Sequence, residues 1–370
     1  MSKRAVADPA IPIPIAIVSA GAVTCVGLTA ASTCAAIRAS LDGFAETDFV
    51  DQIGQPVLGA RVPDGPLGLD ADEPESILGG AGKLAAMFVR AATECVRAAG
   101  GIDAASKALL LIGPESTRPG FTVDKLQDCF AACEQAVGKR FHAASLITQL
   151  GGPGLAVALQ HAQRLLASAQ VDAVLLAGLD SLLNGNDIGH ALANNRLLCS
   201  EHSDGFIPGE AAACVLVMRL HDLQAHDQRG QPRGRVLQVL GAGVAQESES
   251  WSSGKANTGK GLAAAVKSAI ALAGIEAHDI HHRLSDASGE SFFMDEGTYA
   301  WGRVLRKRSP AGYTAPLVAA SVGETAAAAG PLMAALALDM ARKGWSAGPI
   351  TLIHLAGSAE VRGAVVLQAV

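Results

Sequence analysis

The stretch GGPGLAVALQHAQRLLASAQVDAVLLAGLDS, Gly151 to Ser181, decides how the rest of the chain is read. It opens on a tight glycine-proline turn and continues as an Ala/Leu-rich helix. It closes on VDAVLLAG, an unbroken apolar run short enough to be a buried strand. A strand apolar on both faces implies a sheet covered by helices on both sides. Near the end SVGETAAAAG, Ser321 to Gly330, is another turn leading into a helix.

Outward from that stretch the same order recurs. Lys83 to Ser116, KLAAMFVRAATECVRAAGGIDAASKALLLIGPES, reads as a helix, an Ala-Gly stop, a short acidic linker and an apolar strand. Lys260 to Ser291, KGLAAAVKSAIALAGIEAHDIHHRLSDASGES, repeats it, down to a closing Gly-Glu-Ser where the first copy has Pro-Glu-Ser. Gly154 to Gly178 and Gly330 to Gly357 form a second pair, each a helix followed by an apolar strand. AAACVLVM (Ala211 to Met218) and RGAVVLQ (Arg362 to Gln368) then follow as further strands. Strands near Ile15 and Val236 open the two copies. The fold class is therefore α/β, with βαβ units, a largely parallel sheet and an internal duplication. The polar stretch His221 to Gly234, rich in turn formers, divides the chain into an N-terminal half, 1–225, and a C-terminal half, 226–370.

Composition bounds the function. The chain has 370 residues, of which 49% are hydrophobic and 17% charged, so it has enough apolar material for a large buried core. Aromatics are only 4% while Ala and Gly abound, which favours close packing of helices through small residues. A net charge of −6 and the lack of a long basic run argue against nucleic-acid binding. Arg306 to Arg308 reads as a solvated helix end. The seven cysteines, Cys25, Cys34, Cys95, Cys129, Cys133, Cys199 and Cys214, are scattered and form no CxxC pair, which fits a reducing cytosol and no disulfide or zinc site. Pro9 to Ile37 carries no charge, yet its prolines, β-branched residues and glycine turn read as a strand and loop, not a membrane span or signal peptide.

IAIVSAGAVTCVGLTAASTCAAIRASLDGF (Ile15 to Phe44), SDGFIPGEAAACVLVM (Ser203 to Met218), SVGETAAAAGP and the duplicated helices together resemble the thiolase-like superfamily, and within it the β-ketoacyl-acyl carrier protein synthases. The Asp-Gly-Phe…Gly-Glu element is the most specific, and the likeness covers nearly the whole chain. It implies a duplicated α-β-α-β-α five-layer fold. The family's chemistry requires a thiolate to accept an acyl group, two imidazoles, a supporting lysine and an oxyanion hole.

None of those side chains stands at the matching positions. An ungapped match from VDAVLLAGLDS puts Gly152 at the cysteine position, and a small gap puts Gln149 there, as in chain-length-factor subunits. The first histidine falls on Asp286, the second on Glu324 and the lysine on Ala319; the closing Gly-Phe-Gly-Gly turn matches HLAGS, His354 to Ser358, loosely. The resemblance therefore implies a catalytically inactive partner, adaptor or scaffold. One form is chain-length-factor-like and another is an accessory or chaperone-type protein. Expected partners are a second copy, a related ketosynthase or another protein, and acyl carrier protein; no cofactor, metal, nucleic acid or membrane is implied. A vestigial pocket is expected near Gly152, Phe206, Asp286, Glu324 and His354.

The rival class is an enzyme, with residual acyl transfer or new chemistry at Asp286 and Glu324. Two carboxylates close together raise one pKa and suit acid/base work or a cation, although each residue type also caps turns. Cys199 with His202, Ser145 and His354 are weaker candidates for nucleophilic chemistry. His278, His281 and His282 read as a solvated linker and not a metal site. Gly113-Pro114-Glu115 and Gly151 to Gly154 lack the Lys-Ser/Thr of a phosphate loop.

Overall fold

A computed structural model describes residues 13–69, 81–100, 106–119, 123–227, 234–310 and 316–370. The first half runs β1 (Ile15–Val23), α1 (Ala30–Arg38), a hairpin of β2 (Ala45–Val50) and β3 (Pro56–Gly59), α2 (Ala81–Ala98) and β4 (Lys107–Gly113). It continues through α3 (Val123–Val137), β5 (Leu146–Gln149), α4 (Gly154–Ala167), β6 (Ala173–Ser181), α5 (Gly185–Ala193), β7 (Glu210–Arg219) and α6 (Leu220–Asp227). Then follow β8 (Leu237–Gln246), α7 (Lys260–Ala273), β9 (His282–Ser285), α8 (Ser291–Val304) and α9 (Ala319–Val322). The chain ends with α10 (Ala329–Lys343), β10 (Ile350–Ala356) and β11 (Val361–Ala369). The charge-free Pro9 to Ile37 segment supplies β1 and most of α1, its residues 9–12 lying outside the described residues. No helix among the described residues is long and apolar enough to cross a membrane.

Local chemistry accounts for the punctuation. Thr29 caps α1, accepting from the Ser32 N–H at 3.1 Å, while the Ser32 hydroxyl accepts from the Thr29 N–H at 3.1 Å, a reciprocal capping box. Gly274 and Gly344 end α7 and α10 in the left-handed conformation that a glycine adopts without a Cβ clash. β4 and β6 are buried at every position, as their unbroken apolar runs require.

Nine strands form one sheet in the order β5-β4-β6-β7-β1-β8-β11-β10-β9. The seam between β1 and β8 is short, pairing only Ile15 to Ile17 with Leu237 to Val239. On either side the order is mirrored: β4, β6, β7 and β1 answer to β9, β10, β11 and β8. Even β5 has a trace of a counterpart, because Leu317 bridges Ser285 in parallel beside β9. The expectation of a largely parallel sheet is corrected. Only β4–β5, β4–β6 and β9–β10 are parallel; the other five pairings are antiparallel. Helix–strand alternation implies parallel crossovers, but β7 and β11 each follow a polar stretch and return beside the strand before them, reversing direction.

Five layers result. α2 and α3 cover one face of the first half-sheet, with Met87, Phe88 and Cys95 packed on Leu109 and Leu175. α4 and α10 lie between the half-sheets; α4 packs against β6 on one side and β8 and β11 on the other. α7 and α8 cover the far face through Val266, Trp301 and Leu352. The stretch proposed as a boundary begins as α6, and its residues 228–233 lie outside the described residues.

Candidate functional site

The turn between β5 and α4 is the centre of the site. Gly151 takes a positive φ of 60° and donates its N–H to the Gly113 carbonyl at 3.0 Å, tying the turn to the end of β4. Gly152 comes next, and Pro153 starts the helix. A Cβ placed on Gly152 would lie 3.1 Å from Asp286 Oδ2 and 3.5 Å from the Ala326 carbonyl oxygen. Any side chain at 152 is therefore aimed at a carboxylate.

Asp286 directly follows β9, and its two oxygens accept the Ala356 N–H at 2.8 and 3.1 Å. It thus bridges to the end of β10 and caps no helix of its own. Glu324 follows α9, its Oε1 accepting from the Ala326 N–H at 2.6 Å, which is a local turn cap. A third carboxyl, Glu115, follows β4 and accepts the Ala359 N–H at 3.1 Å. Burial pushes all three upward from the ordinary carboxylate range, since the charged form loses its water. The charge of Glu324 raises Asp286 further, and that of Glu290 raises Glu324.

These groups share the wall of a cavity of about 660 Å³. Phe206, Trp251 and Phe293 line the same cavity, with the Arg196 guanidinium stacked among them. The Arg196 guanidinium forks onto Glu290 with both contacts at 2.7 Å, donates to Ser358 Oγ at 2.8 Å and stacks 4.4 Å over the Trp251 ring. Arg118 lines the cavity too and pairs with Asp180 and Asp187.

No family model matches the sequence, and no curated protein matches it. Solved structures do. A chain of the ishigamide ketosynthase/chain length factor superposes over 96% of this chain and 99% of its own, at 16% identity and a TM-score of 0.70. The fold is that of the ketosynthases. A type II polyketide acyl-carrier protein complexed with its ketosynthase, bound to the hexaketide, gives a TM-score of 0.75 at 13% identity, covering 97% and 100% of the two chains. The Xenorhabdus doucetiae ketosynthase in complex with its chain length factor gives 0.69 at 15% identity, covering 98% and 100%.

Within this ketosynthase fold Gly152, Phe206, Asp286 and Glu324 line one cavity. Gln149 and Ala319 do not: Gln149 closes β5 in register with Gly113, and Ala319 begins α9. The placement of His354 at the pocket is corrected. It belongs to β10 and not to a turn, and strand alternation sends its side chain with Leu352 toward α7 and α8 while Ile353 and Leu355 face the centre. There it is buried, 3.3 Å from Arg283, and its pKa is pushed down to about 3 by burial and by that guanidinium.

Cys199 and His202 are joined through their backbones at 3.0 and 3.2 Å, and neither lines the cavity. Ser145 Oγ serves the backbone, accepting from Leu109 N–H and donating to the His142 carbonyl. The thiols of Cys25, Cys34, Cys95, Cys129 and Cys133 are pushed up to about 12 by burial, which disfavours thiolate. Among the described residues no group of three or more His, Cys, Asp or Glu is placed to hold a metal ion, and the 278–282 histidines make no exception. Glu115, Arg196 and Trp251 were missed by the sequence reading. A signal existed for Glu115 and for Arg196's partner Glu290, because they are the glutamates of the matched Pro-Glu-Ser and Gly-Glu-Ser endings.

Proposed function

We propose that this chain is a non-condensing ketosynthase-fold subunit, chain-length-factor-like, that works as the partner of an active ketosynthase in the cytoplasm. One observation carries the reading: the residue at this turn is Gly152, which has no side chain, and a Cβ built there would lie 3.1 Å from Asp286 Oδ2. Condensation by this fold needs a thiolate and two neutral imidazoles. Here no cysteine lines the cavity among the described residues, and the matching positions hold glycine and two carboxyls. On this reading Gly152, rather than Gln149, is the cysteine-equivalent residue. Two of the similar solved structures are of a ketosynthase with a chain length factor, and a third includes an acyl-carrier protein, which supports the choice of partner. The seven free cysteines support the reducing compartment.

A second reading, acid/base chemistry at Asp286 and Glu324, has one observation in its favour: both carboxyls are raised and share the cavity. Purification of the native complex, followed by incubation with acyl-carrier-protein thioesters and intact mass measurement, tests the partner reading. The partner reading expects a stoichiometric ketosynthase and no acyl adduct on this chain. An adduct on any of its cysteines, or a partner unrelated to ketosynthases, overturns it, the latter in favour of an accessory or chaperone-type role.

A further inference from the structure

Arg196 reaches into the cavity from a pinned backbone. It follows Asn195, whose φ is 51°, and its N–H donates to the Ala191 carbonyl at 2.9 Å while its own carbonyl accepts the Phe206 N–H at 2.9 Å. The guanidinium ends among three rings, 4.4 Å from the centre of Trp251, 5.5 Å from Phe206 and 5.6 Å from Phe293. All three rings line the cavity of about 660 Å³, a size that encloses a small organic ligand. Glu290 meets the charge there, and the two side chains are largely withdrawn from water, at 13% and 6% exposure. The rings come from three separate stretches of chain, and what they share is the guanidinium between them. That group is planar, so the space it takes among the rings is the space of a flat group.

We infer that Arg196 is a built-in plug: its guanidinium occupies an aromatic subsite of the cavity, and a flat neutral ligand enters that subsite only when the guanidinium leaves. Ring faces that hold a cation also stack a flat apolar group. With the plug in place such a ligand meets ring faces already covered, and it cannot replace the fork that Arg196 makes onto Glu290. The bond to Ser358 Oγ at 2.8 Å ties the plug to the turn between β10 and β11, another part of the cavity wall. A purely structural ion pair predicts lower stability when Arg196 is removed and no new binding. A plug predicts a gain of binding. The inference concerns the cavity of this chain alone and does not rest on the partner reading.

Arg196→Ala combined with Glu290→Gln removes the plug without stranding a buried carboxylate. Binding of p-cresol to the full chain and to this double variant is measured by isothermal titration calorimetry. The variant is expected to bind about tenfold more tightly, the scale of one well-stacked aromatic contact. Arg196→Ala alone keeps Glu290. Millimolar methylguanidinium, a copy of the lost group, is therefore expected to raise the melting temperature of that variant and to leave the unmodified chain unchanged. Equal p-cresol binding by the two proteins, or none by either, overturns the inference, as does methylguanidinium that acts alike on variant and unmodified chain. Each arm stands where the other arm's variant does not fold. Failure here leaves the ketosynthase partner intact in the native complex, and loss of that partner leaves both arms unaffected.

Discussion

Gly152 and Asp286 form a matched pair, because a Cβ at 152 would come within 3.1 Å of Asp286 Oδ2 and the carboxyl would have to give way by a few tenths of an ångström. The pair also shapes the response to pH. Asp286 has a raised folded pKa, so its contribution to stability is fully present below the unfolded carboxylate pKa and is lost as pH rises through the folded value. His354 acts in the opposite sense. Its folded pKa is depressed from 6.5 to about 3, so its contribution is present above 6.5 and is lost as pH falls toward 3. At roughly 1.4 kcal/mol per pH unit, the histidine alone removes about 2 kcal/mol by pH 5. Melting temperatures from pH 4 to 9 are expected to fall on both sides of a maximum. Asp286→Asn, which keeps an acceptor for the Ala356 N–H, raises the alkaline arm; His354→Leu flattens the acid arm. An alkaline arm that Asp286→Asn leaves unchanged contradicts the raised carboxyl.

At the scale of elements, the layers depend on backbone approaching backbone. On β8 a Cβ added to Gly243 would lie 2.1 Å from the Ala265 carbonyl oxygen of α7, and on β1 a Cβ on Gly21 would lie 2.0 Å from Ala91 in α2. The two halves thus use the same device to seat an outer helix on the first strand. A carbonyl in mid-helix cannot give way, so Gly243→Ala is expected to cost about 3 kcal/mol, the upper end of overpacking. Gly302 in α8 has open space at its Cβ position, and Gly302→Ala is expected to gain about 0.5–1 kcal/mol from helix propensity. Urea denaturation midpoints of the two variants check the contrast; equal effects would show that the close approach is not what limits β8. The helices and inner strands were legible in advance because their apolar runs and glycine stops are local signals. The directions of β7 and β11 were not, since a short return and a crossover leave similar marks in a sequence. Nor was the setting of Arg196, whose contacts with Trp251, Glu290 and Ser358 join residues from both halves of the chain.

For the molecule as a whole, the short seam between β1 and β8 suggests two units, yet the middle layer argues for one. α4 buries its residues against strands of both half-sheets, and α10 packs on β1, β7 and β10. Neither half keeps a covered sheet if the other unfolds. Scanning calorimetry is therefore expected to show a single transition with calorimetric and van't Hoff enthalpies in agreement. Two resolved transitions would mean that the seam, and not the helical layer, sets cooperativity.

By itself the sequence determined the α/β class, the duplication and the layered fold, because periodicity, glycine punctuation and motif residues are written locally. Only the tertiary structure decided that Gly152 faces Asp286, that Glu115 joins that carboxyl wall, and that His354 points away from it. Those facts follow from how the ends of β4, β5, β9 and β10 meet across the central helices, and the relative placement of distant strand ends is fixed by packing rather than by any one segment.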